Sequence, residues 1–124
     1  MKNFLFLLFV MTFFATASAA ESPLGRLIVV TTQGCPYCRE FRETVGKFYH
    51  KTALGRQFPL TEIDQLDPPA EYADLAWEIH FIPTFVVYNR DGKEIARFRG
   101  YRGEESFWLD LEKAVHQEAK PGNP

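Results

Sequence analysis

The sequence predicts an α/β fold in which a four-stranded mixed sheet carries helices on both faces, in the order βαβαββα. Three observations carry that expectation. Residues 27–31 are a short uncharged run rich in Val and Ile; segments with helical spacing alternate with such runs; and residues 84–88, Asp91-Gly92 and residues 94–98 read as a β-hairpin.

Taken in order, residues 27–31 suit a strand buried on both faces. A helix follows, with Pro36 in its first turn and Cys38, Phe41, Val45 and Phe48 recurring on one stripe between Arg39, Glu40, Arg42 and Glu43; Gly55 is expected to end this region. Residues 59–64 form the second strand. Asp67-Pro68-Pro69 should cap the next helix, whose inner face is Tyr72, Leu75, Ala76 and Ile79. The hairpin strands then pair across the tight-turn dipeptide Asp91-Gly92, and the second of them alternates as an outer antiparallel strand does. Glu104 and Glu105 favour the N-terminus of a closing helix with Trp108, Leu111 and Val115 on one stripe.

The start of the chain reads as an export signal. Lys2 precedes an apolar stretch from Phe4 to Phe14, and Ala17-Ser18-Ala19 fits the small-x-small cleavage rule, so residues 1–19 are expected to be removed, with no stable membrane insertion afterwards. An uncleaved anchor is the alternative, since residues 3–20 carry no charge, although a segment of that length ending in Thr, Ser and Ala is marginal for crossing ~30 Å of hydrocarbon. Export implies an oxidising compartment. The remainder, about 105 residues, is enough for one compact domain, expected over residues 24–118, with a flexible tail at 119–124. The formal charge of −2 is spread along the chain without a basic run, which argues against nucleic acid as a partner.

Cys35 and Cys38, the only two cysteines, lie where the first strand should pass into the first helix. That placement reads as a redox pair. A thiolate attacks disulfides, and a helix N-terminus offers Cys35 unpaired N–H groups and a positive dipole end that lower its pKa below the ~8.5 of a free thiol. Cys38, one turn on and on the apolar stripe, should be shielded and act as the resolving thiol. A structural disulfide is the bland alternative, but closing so short a loop removes chain entropy worth only about 2 kcal/mol. Metal binding would need more ligands than this pair, and His50, His80 and His116 are scattered; haem attachment would need His where Arg39 stands. No metal or other cofactor is expected. Trp77 and Trp108 read as core or rim aromatics, and His80 as a solvated residue that could lie near the site.

The order of elements, the Cys-x-x-Cys at the first strand-to-helix junction and Phe81-Ile82-Pro83-Thr84 before the hairpin resemble the thioredoxin fold and its redox family over nearly the whole mature chain. Within it, Gly34-Cys35-Pro36-Tyr37-Cys38, Tyr49-His50-Lys51-Thr52 through Gly55-Arg56, Pro59-Leu60, and the run Gly100-Tyr101-Arg102-Gly103-Glu104-Glu105-Ser106-Phe107-Trp108 resemble the SoxS type of periplasmic thioredoxin from sulfur-oxidation systems. The resemblance implies a thiol–disulfide reductase with Cys35 and Cys38 as its working thiols. It also implies a cis Pro83 facing them, and an Ile82 that offers its backbone to a substrate strand. Gly34, Pro36 and Tyr37 are expected to complete the substrate surface, and Pro36-Tyr37, a glutaredoxin-like pair, to tune the redox potential. Partners implied are periplasmic protein disulfides or thiol carriers such as SoxYZ, and a membrane thiol transporter as electron donor; the protein should be a monomer.

Two departures stand out: Val29 occupies the place of the family's buried Asp, and Gly34 that of its Trp. Proton transfer must then use water or another group, for which Glu62 on the second strand is a candidate. A disulfide oxidase or isomerase of protein folding, or a copper or other metal chaperone, remain alternatives on the residues alone. Only about 18 residues separate Asp64 from Pro83, too few for the helical domain that DsbA-like oxidases insert there.

Overall fold

The structure, a computed structural model, describes residues 21–118. The leader expected at residues 1–19 and the tail at 119–124 lie outside the described residues. Strand β1 is Gly25–Thr31, and helix α1, Pro36–Phe41, runs through a π-helical turn, Arg42–Gly46, into α2, Lys47–Tyr49. Helix α3 is Ala53–Gln57 and strand β2 is Leu60–Asp64. A 3₁₀ turn, Ala70–Tyr72, leads into α4, Ala73–Glu78, and β3 (Thr84–Asn89), β4 (Glu94–Arg99) and α5 (Glu104–Glu118) complete the chain. The expected order is present, with the first crossover divided into three helical pieces.

The sheet order is β2-β1-β3-β4, with β1 and β2 parallel and the other two pairings antiparallel. β1 is central and buried on both faces, so its uncharged sequence has a direct cause. Leu27 and Val29 face one core with Phe41, Val45, Phe85, Phe107 and Leu111. Ile28 and Val30 face the other, with Ile63, Val86, Tyr72, Leu75 and Ile79. Because strand residues alternate sides, one strand serves both layers. Phe41 fixes the first helix to the sheet: its ring meets Phe85 at 5.0 Å, Phe107 at 5.4 Å and Tyr101 at 5.6 Å.

Three local expectations are corrected. Phe48 is 51% exposed, and Tyr49 is the buried residue in its stead. The π turn, closed by the Lys47 N–H on the Arg42 carbonyl, is wider than an α turn, so the inner face after Val45 is next met by Tyr49. Gly55 does not end the helical region but sits inside α3, where a Cβ would lie 1.8 Å from the Tyr49 carbonyl oxygen; its role is close approach. The Asp67 side chain does not cap the helix after β2, since the segment enters through Pro69 and the 3₁₀ turn without a side-chain cap. Trp77 is not in the core: α4 turns it outward, 86% exposed. In α5, Phe107, Leu111 and Ala114 are the buried stripe, while Trp108 and Val115 are half-buried beside it.

Candidate active site

β1 delivers the chain to the site. After Thr31 the backbone turns through Gly34 at φ 74°, a left-handed value that costs a residue with a Cβ about 1–2 kcal/mol. Nothing lies within 4 Å of where a Cβ would be at Gly34. Conformation, not crowding, selects glycine where the resembling family has Trp.

Cys35 is then the N-cap of α1, extended at φ −84° and ψ 109°, with Pro36 at the first helical position. The Cys38 backbone N–H donates to Cys35 Sγ at 3.2 Å, so the sulfur occupies the place that an Asp or Ser oxygen takes in an ordinary cap. The two sulfurs are joined as a disulfide, with the Cα atoms 5.3 Å apart. Cys35 is half-buried and Cys38 fully buried, while Pro36 and Tyr37 are exposed, Tyr37 to 59%. One sulfur is therefore reachable and the other shielded, as the stripe containing Cys38 and Phe41 implies.

β3 starts at the same edge of the sheet, because Val30, next to the end of β1, pairs with Thr84. The Ile82–Pro83 peptide is cis, and Pro83 is buried. The Pro83 carbonyl accepts from the Gly100 N–H at 2.7 Å, but neither backbone group of Ile82 finds a partner among the described residues. Ile82 thus extends the sheet edge by one unpaired position. His80 is exposed and does not bond either cysteine.

Val29 is fully buried in apolar surroundings, so no carboxylate lies at its position. Two residues on, along the same face of β1, a polar cluster was not anticipated. The buried Thr31 hydroxyl donates to Glu62 Oε1 at 2.9 Å, and Arg42 Nε donates to the same oxygen at 2.7 Å. Arg42 stands one turn after Cys38. Its guanidinium pKa is raised, chiefly by the hydrogen bond to Glu62 and against the pull of desolvation. Glu62 is accordingly held in an ion pair with Arg42 and bonds neither cysteine. Glu62 was the member of this cluster that the sequence offered, and the i, i+4 spacing of Cys38 and Arg42 was a second signal; Thr31 gave none, since threonine is ordinary in a strand.

Among the described residues no group of three or more His, Cys, Asp or Glu side chains is placed to hold a metal ion, and no helix is long and apolar enough to cross a membrane.

Comparison with known proteins agrees with this geometry. A thioredoxin-like domain model matches residues 14–114. No curated protein sequence matches the chain. Among solved structures, the periplasmic thioredoxin SoxS from Paracoccus pantotrophus, in its reduced form, is similar at 29% identity, with TM-score 0.65 over 76% of this chain and 98% of that one. Fasciola hepatica thioredoxin is similar at 28% identity and TM-score 0.55, over 73% of this chain and 83% of that one. A thioredoxin-fold protein from Helicobacter pylori, at 18% identity and TM-score 0.63 over 83% and 78% of the two chains, shares the fold. With a strand leading into a cysteine pair on a helix N-terminus and a family match over most of its length, the chain belongs to the thioredoxin-like family and is a thiol–disulfide oxidoreductase.

Proposed function

We propose that this protein is an exported reductase of the SoxS type, which keeps the thiols of selected periplasmic proteins reduced. The observation that carries the proposal is the asymmetry of the pair. Cys35 Sγ is reachable at a helix N-cap with a backbone N–H aimed at it, and Cys38 is sealed beneath it. An N–H on the sulfur stabilises a thiolate over a thiol, and burial keeps the second sulfur from competing for solvent.

In the reduced protein, Cys35 thiolate attacks one sulfur of a client disulfide. A Cys35–client disulfide forms, the client S–S bond breaks, and the departing thiolate takes a proton from water. Cys38 then gives its proton to water and attacks Cys35 Sγ, which restores the intramolecular disulfide and releases the second client thiolate. Two electrons have passed to the client. Val29 is apolar and Glu62 bonds Thr31 and Arg42 rather than either cysteine, so water takes the Cys38 proton.

The client chain lies as an added strand on the free Ile82 backbone, with Gly34, Pro36, Tyr37 and Pro83 forming the surface around the sulfurs. Similarity to the Paracoccus periplasmic thioredoxin favours a thiol carrier as the client. A membrane thiol transporter returns the protein to its dithiol form. The short α4 connection between β2 and Pro83 leaves no inserted helical domain of the kind that oxidases carry there, which favours reductase over oxidase.

Cys38→Ser tests the proposal. Without the resolving thiol, Cys35 should hold clients as mixed disulfides that Cys35→Ser does not form, and mass spectrometry identifies them. One or two exported thiol carriers support a dedicated reductase; a broad set of secreted proteins supports folding catalysis instead, and an empty trap removes the exchange mechanism.

A further inference from the structure

Beside the cysteine edge, on the α4 side of the sheet, lies a groove of about 510 Å³. Ala76 and Ile79 form its floor, and Leu66, Pro68, Trp77 and His80 its walls. Trp77 is 86% exposed and Leu66 82% exposed, although both are large and apolar. Contiguous apolar surface of this kind on a small protein marks an interaction site, and tryptophan is the side chain most often central to one.

The surroundings define the charge of what binds. Between Thr61 and His80 the chain carries Glu62, Asp64, Asp67, Glu71, Asp74 and Glu78, and no Lys or Arg. Glu62 is paired with Arg42, and Glu78 with Arg97 at 3.4 Å. Asp67, Glu71 and Asp74 make no ion pair among the described residues, so their field is available to a partner, whereas Asp64 already acts on Arg42, and Arg97 and Arg99 line the neighbouring cleft beyond Ile79 and His80. The first crossover, by contrast, carries Arg39, Arg42, Lys47, Lys51 and Arg56 against only Glu40 and Glu43.

The groove also ends two residues short of the unpaired Ile82 backbone, at His80. The Gln65 side-chain amide donates to the Ile79 carbonyl, tying the loop after β2 to the chain that runs on through His80 and Phe81 to Ile82. Three residues of chain place the groove floor at Ile79 within about 11 Å of Ile82.

We propose that this groove is a second docking site for the redox partner, taking an apolar side chain flanked by lysine or arginine a few residues from the partner's reactive cysteine. The proposal rests on the exchange chemistry described above and adds selectivity to it. The strand at Ile82 reads backbone, which any polypeptide offers. The groove reads sequence, and so distinguishes one client from another.

Peptides with one cysteine, capped as a disulfide with 2-mercaptoethanol, provide the test. Four residues from the cysteine, on either side in separate peptides, they carry Lys-Leu-Lys, Glu-Leu-Glu or Lys-Ser-Lys. Single-turnover oxidation of the pre-reduced protein is followed by acid quench. At low salt the Lys-Leu-Lys peptide should react about tenfold faster than Glu-Leu-Glu and several-fold faster than Lys-Ser-Lys, and the charge preference should shrink in 0.5 M salt.

Trp77→Ala should remove the preference for Leu over Ser, and Asp67→Asn with Asp74→Asn that for Lys over Glu. Both variants should reduce bis(2-hydroxyethyl) disulfide at the wild-type rate. Equal rates for the three peptides alongside normal reduction of the small disulfide overturn the docking site alone. Failure to reduce the small disulfide overturns the redox reading and the docking site with it. Acrylamide quenching of the fluorescence lost in Trp77→Ala should report full accessibility in the free protein. Protection there, by a second copy or by residues 1–20, contradicts a groove kept open for a partner.

Discussion

At the scale of single residues, two glycines separate two reasons for using glycine. Gly34 has open space around it and a left-handed backbone, whereas Gly55 faces the Tyr49 carbonyl oxygen at 1.8 Å from an added Cβ. Gly34→Ala should therefore cost about 1–2 kcal/mol, and Gly34→Asn less, because asparagine tolerates that region. Gly55→Ala should cost more than Gly34→Ala, since backbone must move rather than merely strain. Urea midpoints at constant m-value would rank the three; equal losses at Gly34 and Gly55 would refute the distinction. Cys35 and Cys38 were legible in the sequence, because a pair at that spacing is tied to one chemistry, whereas the cis peptide before Pro83 came from the family resemblance, since proline alone does not select cis. The Thr31 hydroxyl on Glu62 was not. Its partner lies on a neighbouring strand, and nothing local to Thr31 announces it.

At the scale of elements, the strands were legible and the helical crossover was not. Val and Ile runs, and an Asp-Gly turn between alternating segments, encode strands locally. The π turn at Arg42–Gly46 has no propensity signature; it shows only in which residue, Phe48 or Tyr49, reaches the core. Tyr49 joins two pieces of the crossover to each other and to α5: its hydroxyl donates to the Phe58 carbonyl at 2.7 Å, and its ring stacks on Trp108 at 5.8 Å. Burial raises its phenol pKa well above the ordinary 10.0. Because the folded value lies above the unfolded one, the contribution is complete below about pH 10 and is lost as pH climbs through the folded value. Tyr49→Phe should lower stability by about 1 kcal/mol at neutral pH and flatten the alkaline fall in stability, leaving the part due to Tyr88 and Tyr101, whose values burial also raises. Denaturant titrations between pH 7 and 11 would show it; an unchanged alkaline limb would mean that another group governs it.

At the scale of the whole molecule, the sheet gathers the chemistry at one end. Parallel pairing of β1 with β2 and antiparallel pairing of β1 with β3 bring the end of β1, the end of β2 and the start of β3 to a single edge. The cysteine pair, the groove beside Leu66 and Trp77, and the unpaired Ile82 all follow from that arrangement. Fold class and edge were legible in the order of elements, whereas the outward turn of Trp77 was not, because spacing along so short a helix does not say which side of it the sheet covers. The account depends most on the unequal accessibility of the two sulfurs. Fully reduced protein treated briefly with iodoacetamide at pH 7, and analysed by peptide mass spectrometry, should carry one adduct, on Cys35, formed faster than on a free cysteine peptide, with Cys38 unmodified until the chain is unfolded. Equal labelling of both cysteines, or faster labelling of Cys38, would contradict it.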